Sequence, residues 1–136
     1  MVLTLDNPDE VAPPLGTYSH SVEVPPGAGM IFLSGQLPVR VNGYTAASLA
    51  EQADQVYANI VQVLAAKGCK PDSIIKLNTY LVEDDIEGAV RQARSKHLGD
   101  HRPASTVVYV SRLVDLKWKI EIEAVALAPT VAVNGG

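Results

Sequence analysis

The sequence is poor in the residues that usually staple or plug a small fold, with one cysteine, one phenylalanine and one tryptophan among 136 residues. A lone Cys69 excludes an intrachain disulfide and any Cys-x-x-Cys metal or redox pair, and it fits a reducing compartment. With so little aromatic bulk, the core must be built from Val, Ile, Leu and Ala. No apolar run approaches the ~18 residues that a membrane span needs, and residues 1–10 carry no basic region followed by an apolar stretch. A cytoplasmic location without a membrane partner is expected. Runs of Lys or Arg are missing too. The net charge is −4 and the pI is near 5.2, so no basic stripe is available to neutralise a phosphate backbone, and nucleic acid is not the expected partner. His20, His97 and His101 have no metal-ligand spacing, and the glycines form no phosphate-cradling loop between a strand and a helix. Neither a metal nor another cofactor is expected.

What is present is a globular composition, 47% apolar and 19% charged, with no long Pro/Gly/Ser-rich stretch inside it, so residues 1–136 read as one domain. Pro8, Pro13, Pro14 and Gly16 make residues 1–17 an extended lead-in, with structure expected from about Tyr18. Tyr18 to Val24 alternates, Pro25-Pro26-Gly27 interrupts, and Met30 to Leu33 follows, which reads as a hairpin ending at Ser34-Gly35. Leu37 to Tyr44 contains Asn42-Gly43, a tight-turn dipeptide that leaves room for a further short strand. From Ser48 to Lys67, Leu49, Ala53, Val56, Ile60, Val63 and Leu64 form one helical stripe. Ser48 with Glu51 makes a capping box, and Gly68 and Pro71 close the helix. Ile74 to Val82 reads as a strand, with Ile75, Leu77, Thr79 and Leu81 facing away from Lys76, Asn78 and Tyr80.

A second helix is expected from Asp85 to Leu98, capped by Asp84 with Glu87 and closed by Gly99, with Ile86, Ala89, Val90, Ala93 and His97 turned inward. Ser105 to Val110 and Trp118 to Ala128 read as strands, and residues 129–136 as a frayed tail. Two helices with one apolar stripe each imply an α+β two-layer sandwich, both helices on one face of a mixed sheet. The other face, expected to carry Tyr80, Tyr109 and Val125 beside Glu121, calls for cover from another subunit.

Four stretches in order carry a resemblance. Pro14-Leu15-Gly16-Thr17-Tyr18-Ser19, Ile31-Phe32-Leu33-Ser34-Gly35-Gln36-Leu37-Pro38, Arg102-Pro103-Ala104-Ser105-Thr106 and Ile120-Glu121-Ile122-Glu123-Ala124-Val125-Ala126 resemble the signatures of the Rid family, also called YjgF or reactive intermediate deaminases. The resemblance implies a homotrimer of chorismate-mutase-like subunits, with small-molecule clefts between neighbours. In deaminating members the stretch similar to Pro103–Thr106 reads Pro-Ala-Arg-Ser, and its arginine clamps the carboxylate of an imine derived from an amino acid. Here Ser105 stands in that place. A hydroxyl cannot reproduce the planar two-point grip of a guanidinium, so weak hydrolysis of 2-aminoacrylate is expected. Val107 stands where many members carry a cysteine, and Arg91 about where they carry an asparagine.

Tyr18, Ser34, Gly35 and Glu121 match positions that line the family's cleft, and the resemblance makes Glu121 the group that positions water, with Tyr18 beside it. From the residues alone, Glu121 could equally pair with Lys119 or Lys76, and Tyr18 could simply pack. Arg91 is the arginine expected to meet an anion, unless it only pairs with Glu87 one turn earlier. Ser34 lacks the flanking glycine of a nucleophile elbow and a histidine to activate it. Two functions stay open: hydrolysis of an enamine or imine to a carbonyl compound and ammonia, or a non-catalytic trimeric module that binds a metabolite. The endoribonuclease label that travels with the family fits poorly with the acidic pI.

Overall fold

Alternation is clearest in the last strand, Ile120–Leu127, where Ile120, Ile122, Ala124 and Ala126 are buried while Glu121, Glu123 and Val125 are half-buried on the other face. That strand is the centre of the fold. In the computed structural model, which describes residues 2–130, the elements in order are β1 (Thr4–Asp6), β2 (Ser21–Glu23), β3 (Met30–Gln36), α1 (Leu49–Ala66), a 3₁₀ turn (Pro71–Ser73), β4 (Ile74–Leu81), α2 (Ala89–Leu98), β5 (Ala104–Tyr109) and β6 (Ile120–Leu127). The main sheet runs β3-β6-β4-β5, with β4 and β5 parallel and the other pairs antiparallel. Both helices lie on one face, giving the α+β two-layer sandwich.

Helix α1 forms as its sequence dictates. Ser48 Oγ accepts from Glu51 N at 3.2 Å, and Gly68 sits at φ +75 past the last turn. Its face of Ala53, Val56, Tyr57, Ile60 and Leu64 is buried against the sheet, each large side chain contributing about 1.5–3 kcal/mol by burial. Gln52 is polar and buried, yet fully used: its Nε2 donates to Ala46 O (2.8 Å) and Lys117 O (2.9 Å), and its Oε1 accepts from Lys119 N (2.7 Å). This ties α1 to the chain entering β6, two residues before Glu121.

Several expectations are corrected. Tyr18–Val24 and Met30–Leu33 do not pair; β2 instead pairs with β1, inside the stretch expected to be a lead-in, and β3 pairs with β6. Pro25 and Pro26 open a turn closed by Ala28 N to Pro25 O, after which β3 enters the larger sheet, where it buries Leu33. Asn42-Gly43 does turn, with Gly43 at φ +87, but residues 37–44 form no strand. On β4 the register shifts between Ile74 and Lys76, which puts Ile74 rather than Ile75 into the core.

Helix α2 begins at Ala89, not Asp85, because Gly88 at φ +70 starts it. Asp85 supplies the cap from a turn earlier, its carboxylate accepting from Ala89 N (2.7 Å) and Val90 N (2.9 Å). Ile86 therefore lies in the preceding loop, 91% exposed. Tyr109 pairs in register with Leu81, so it faces the helix side; on the open face its place is taken by Val108 opposite Tyr80. The tail expectation for 131–136 lies outside the described residues.

Candidate functional site: a carboxylate and a cationic cleft on opposite faces

Glu121 is placed by a β-bulge. Leu33 pairs with Ala124 and Gln36 with Ile122, so three steps on β3 match two on β6, and Ser34 and Gly35 occupy the irregularity. A Cβ on Gly35 would stand 2.8 Å from Glu121 Cδ and 3.0 Å from its Cγ, so the carboxylate's seat exists because residue 35 has no side chain. Ser34 is exposed beside it.

Among the described residues Glu121 has neither a hydrogen bond nor an ion pair. Lys119 pairs with Glu83 (2.8 Å) and Lys76 Nζ donates to Thr106 Oγ1 (2.9 Å), so neither lysine neutralises it. Its neighbour Glu123 has partners, its Oε1 accepting from the Tyr80 hydroxyl (2.7 Å) and Asn78 Nδ2 (3.2 Å). Burial, then the charge of Glu123, pushes the Glu121 carboxyl above the usual range.

The second feature is a cleft of about 480 Å³ at the β5 edge of the helical layer, lined by Tyr18, Arg91, Arg94, Ser105, Val107 and Tyr109 among others. Ser105 and Val107 face it because they pair with the core-facing Leu77 and Thr79 in the parallel ladder. The segment carrying Tyr18 is held by Ser19, whose N–H donates to Pro103 O (3.2 Å) and whose hydroxyl donates to Arg102 O (2.6 Å). The Tyr18 hydroxyl accepts from Leu15 N at 3.1 Å. Tyr57 lies deeper in the cleft, its phenol pushed up to about 12 by burial.

Arg91 is exposed and lies across Gly16, whose added Cβ would be 3.1 Å from its Nη2; no pairing with Glu87 forms among the described residues. The sequence expectation did not include Arg94, which is only 8% exposed. Its Nη1 donates to Ser105 Oγ (3.4 Å), its Nη2 donates to Thr17 O, and its buried Nε has no partner. Burial first, then the charges of Arg102 and Arg91, lower its pKa, while Tyr57 opposes the shift. A signal for it was available: position 94 lies one turn after Val90 and next to Ala93, on the stripe that faces the sheet, where an arginine is out of pattern.

The two features do not meet within one chain. Glu121 pairs with Tyr80 on the open face, while Ser105 and Val107 sit on the helix face, so the sheet lies between them. No cluster of three or more His, Cys, Asp or Glu suited to a metal occurs among the described residues.

A small α+β sandwich with a glycine-seated carboxylate and a cleft at its parallel edge matches a known class. Residues 9–128 match the family model described as Endoribonuclease L-PSP, and the chain belongs to that family, Rid/YjgF. It is 35% identical over 111 residues to Protein HMF1 of Saccharomyces cerevisiae, covering 81% of this chain and 83% of that one. A 2-iminobutanoate/2-iminopropanoate deaminase of Dermatophagoides farinae is 27% identical over 116 residues, covering 84% of this chain and 88% of the other. Among solved structures, the conserved Rid family protein YyfB of Yersinia pestis superposes with a TM-score of 0.83 at 29% identity, covering 93% and 99% of the two chains.

Proposed function

We propose that this protein hydrolyses the C=N bond of small enamine- or imine-type metabolites, releasing a carbonyl compound and ammonia, in clefts completed between the copies of a homotrimer. The observation that carries this reading is the unpaired Glu121 carboxylate over Gly35, its pKa raised by burial and by the charge of Glu123. Such a group takes a proton from water as the oxygen adds to the imine carbon and passes it to the nitrogen, giving a carbinolamine; relay of the carbinolamine hydroxyl proton to the same nitrogen then breaks the C–N bond as the carbonyl forms and ammonia leaves. Tyr18, Arg91, Ser105 and Val107 hold the substrate, and Ser34 with Gly35 frames the carboxylate.

The geometry supports the assembly. Glu121 and the cleft share one sheet but not one face, so in this reading a second copy brings its carboxylate to the first copy's cleft. The open face supports such contact, with Phe32 72% exposed beside Val125 and, further along the sheet, Val108 41% exposed opposite Tyr80. The relative named as an iminobutanoate deaminase supports the reaction class.

A second reading, a trimeric module that binds a metabolite without turnover, is favoured by Ser105 in the place of an arginine. Ammonia release from imines generated in place by an amino-acid oxidase separates the two. The wild type is expected to accelerate release, and Glu121→Gln to lower kcat about 10²–10⁴-fold. A wild-type rate equal to that without protein leaves the binding module. Sedimentation equilibrium showing a monomer at micromolar concentration rejects the shared cleft in either case.

A further inference from the structure

The structure assigns Arg94 as the cation of the cleft, and the ligand it awaits is a small carboxylate with an apolar body. This deepens the reading of the same site given above and rests on it for the location of the cleft, though not for the chemistry. Arg94 is only 8% exposed, its Nε is buried, and it has no carboxylate within ion-pair distance among the described residues. Burying a charge without a partner costs several kcal/mol, a cost a fold does not bear for stability alone. The one carboxylate in the cleft wall, Asp85, is already committed to the N–H groups of Ala89 and Val90. The missing counter-ion therefore comes from outside the chain.

Two neutral acceptors aim the guanidinium without neutralising it. Thr17 O and Ser105 Oγ take one N–H each from Nη2 and Nη1, which leaves three of the five donors of an arginine without a protein acceptor. Ser105 thus has a definite job: it is the hydroxyl against which an arginine from α2 is oriented. Thr17 belongs to the segment fixed through Ser19 to Arg102 and Pro103, so both anchors are themselves held. A planar fork with free donors is suited to a two-oxygen acceptor. Val90, Val107, Leu81 and Tyr109 around it are suited to the ligand's apolar remainder. Arg91, exposed above Gly16, adds positive field at the rim but has no buried seat.

Calorimetric titration of the full chain with benzoate, and with benzamide as its neutral counterpart, tests this. Wild type is expected to bind benzoate and not benzamide, and Arg94→Gln to weaken benzoate by roughly 30-fold or more. Equal benzoate affinity in wild type and a folded Arg94→Gln overturns the assignment, as does equal binding of benzamide. Should Arg94→Gln not fold, the wild type suffices: benzoate is expected to shift the side-chain Nε–H resonance of Arg94, and an unmoved resonance at saturation overturns the proposal. Glu121→Gln is expected to retain benzoate binding. Arg94-dependent binding in a protein that turns nothing over overturns the hydrolase reading and keeps this one; turnover with Arg94-independent binding does the reverse.

Discussion

The carboxylate on the open face and the guanidinium on the helix face are both charges left without a partner, of opposite sign, separated by one sheet. Several other charges do have partners: Lys119 pairs with Glu83, Lys96 with Asp54, and Glu123 accepts hydrogen bonds from Tyr80 and Asn78. Among the described residues Arg94 Nε is the buried side-chain polar atom without a partner, and Glu121 is a half-buried carboxylate with none, whereas Asp54, Asp85, Asp115 and Glu123 all accept hydrogen bonds. The difference marks function more sharply than burial alone, since Gln52 is more buried than Glu121 and is entirely explained by its three hydrogen bonds.

The largest effect expected from this comparison is a rescue. Arg94→Gln and Glu121→Gln each disable one half of the site. If the halves come from neighbouring copies of a ring-like trimer, co-refolding equal amounts restores roughly a quarter of wild-type activity, since random mixing leaves both halves intact at about one site in four. No recovery above the two separate variants would mean that both halves act from the same chain.

Next in size is Gly35→Ala. The new methyl would occupy the seat of Glu121, and displacing a reacting group by about 1 Å can cost 10²-fold in rate. Stability is expected to change by less than about 1 kcal/mol, because the half-buried Glu121 can swing outward and alanine restricts the unfolded chain. Steady-state rates alongside a denaturant melt measure both. Unchanged kcat would show that the seat over Gly35 is irrelevant to turnover.

The two halves also differ in how far the sequence announced them. Glu121 lies on a strand of strict alternation, so its face could be read directly, and the resemblance named Ser34, Gly35 and Glu121 together; that Gly35 makes room for the carboxylate depends on the bulge between β3 and β6, which local sequence does not reveal. The cleft was only half legible. Ser105 and Val107 were named, but Arg94 was not, because its place depends on where α2 starts. Reading the helix from Asp85 with Ile86 inward drew attention to the wrong residues of its first turn, whereas Gly88 and the backward reach of Asp85 set the actual start. The main-sheet order was equally hidden: local alternation identifies strands, yet the preference of β2 for β1 and of β3 for β6 is decided by long-range packing. Helix α1 was legible in its bounds, where cap and terminating glycine agree, and in most of its stripe, but Val63 is exposed and Tyr57 holds a buried place that the stripe left out.

The smallest effect distinguishes the support of the cationic half from that of the carboxylate half. Asp54 on α1 bonds Lys96 Nζ (2.9 Å) and His97 Nε2 (2.8 Å), holding α2 in place one turn beyond Arg94, and it touches nothing near Glu121. Its pKa is lowered, by the Lys96 hydrogen bond first and that of His97 second. A carboxylate whose pKa falls on folding contributes stability that is fully present above its unfolded value, here near 3.8, and is lost as pH drops through the lower folded value. The pair with Lys96 is largely exposed, so Asp54→Asn is expected to cost about 0.5–1 kcal/mol at pH 7, less in high salt. Melting curves of wild type and variant should therefore converge at low pH. Benzoate affinity should fall slightly in the variant through looser seating of α2, while the kcat effect of Gly35→Ala stays the same in either background. A gap between the melting curves that persists at low pH would assign the contribution of Asp54 to packing rather than to charge.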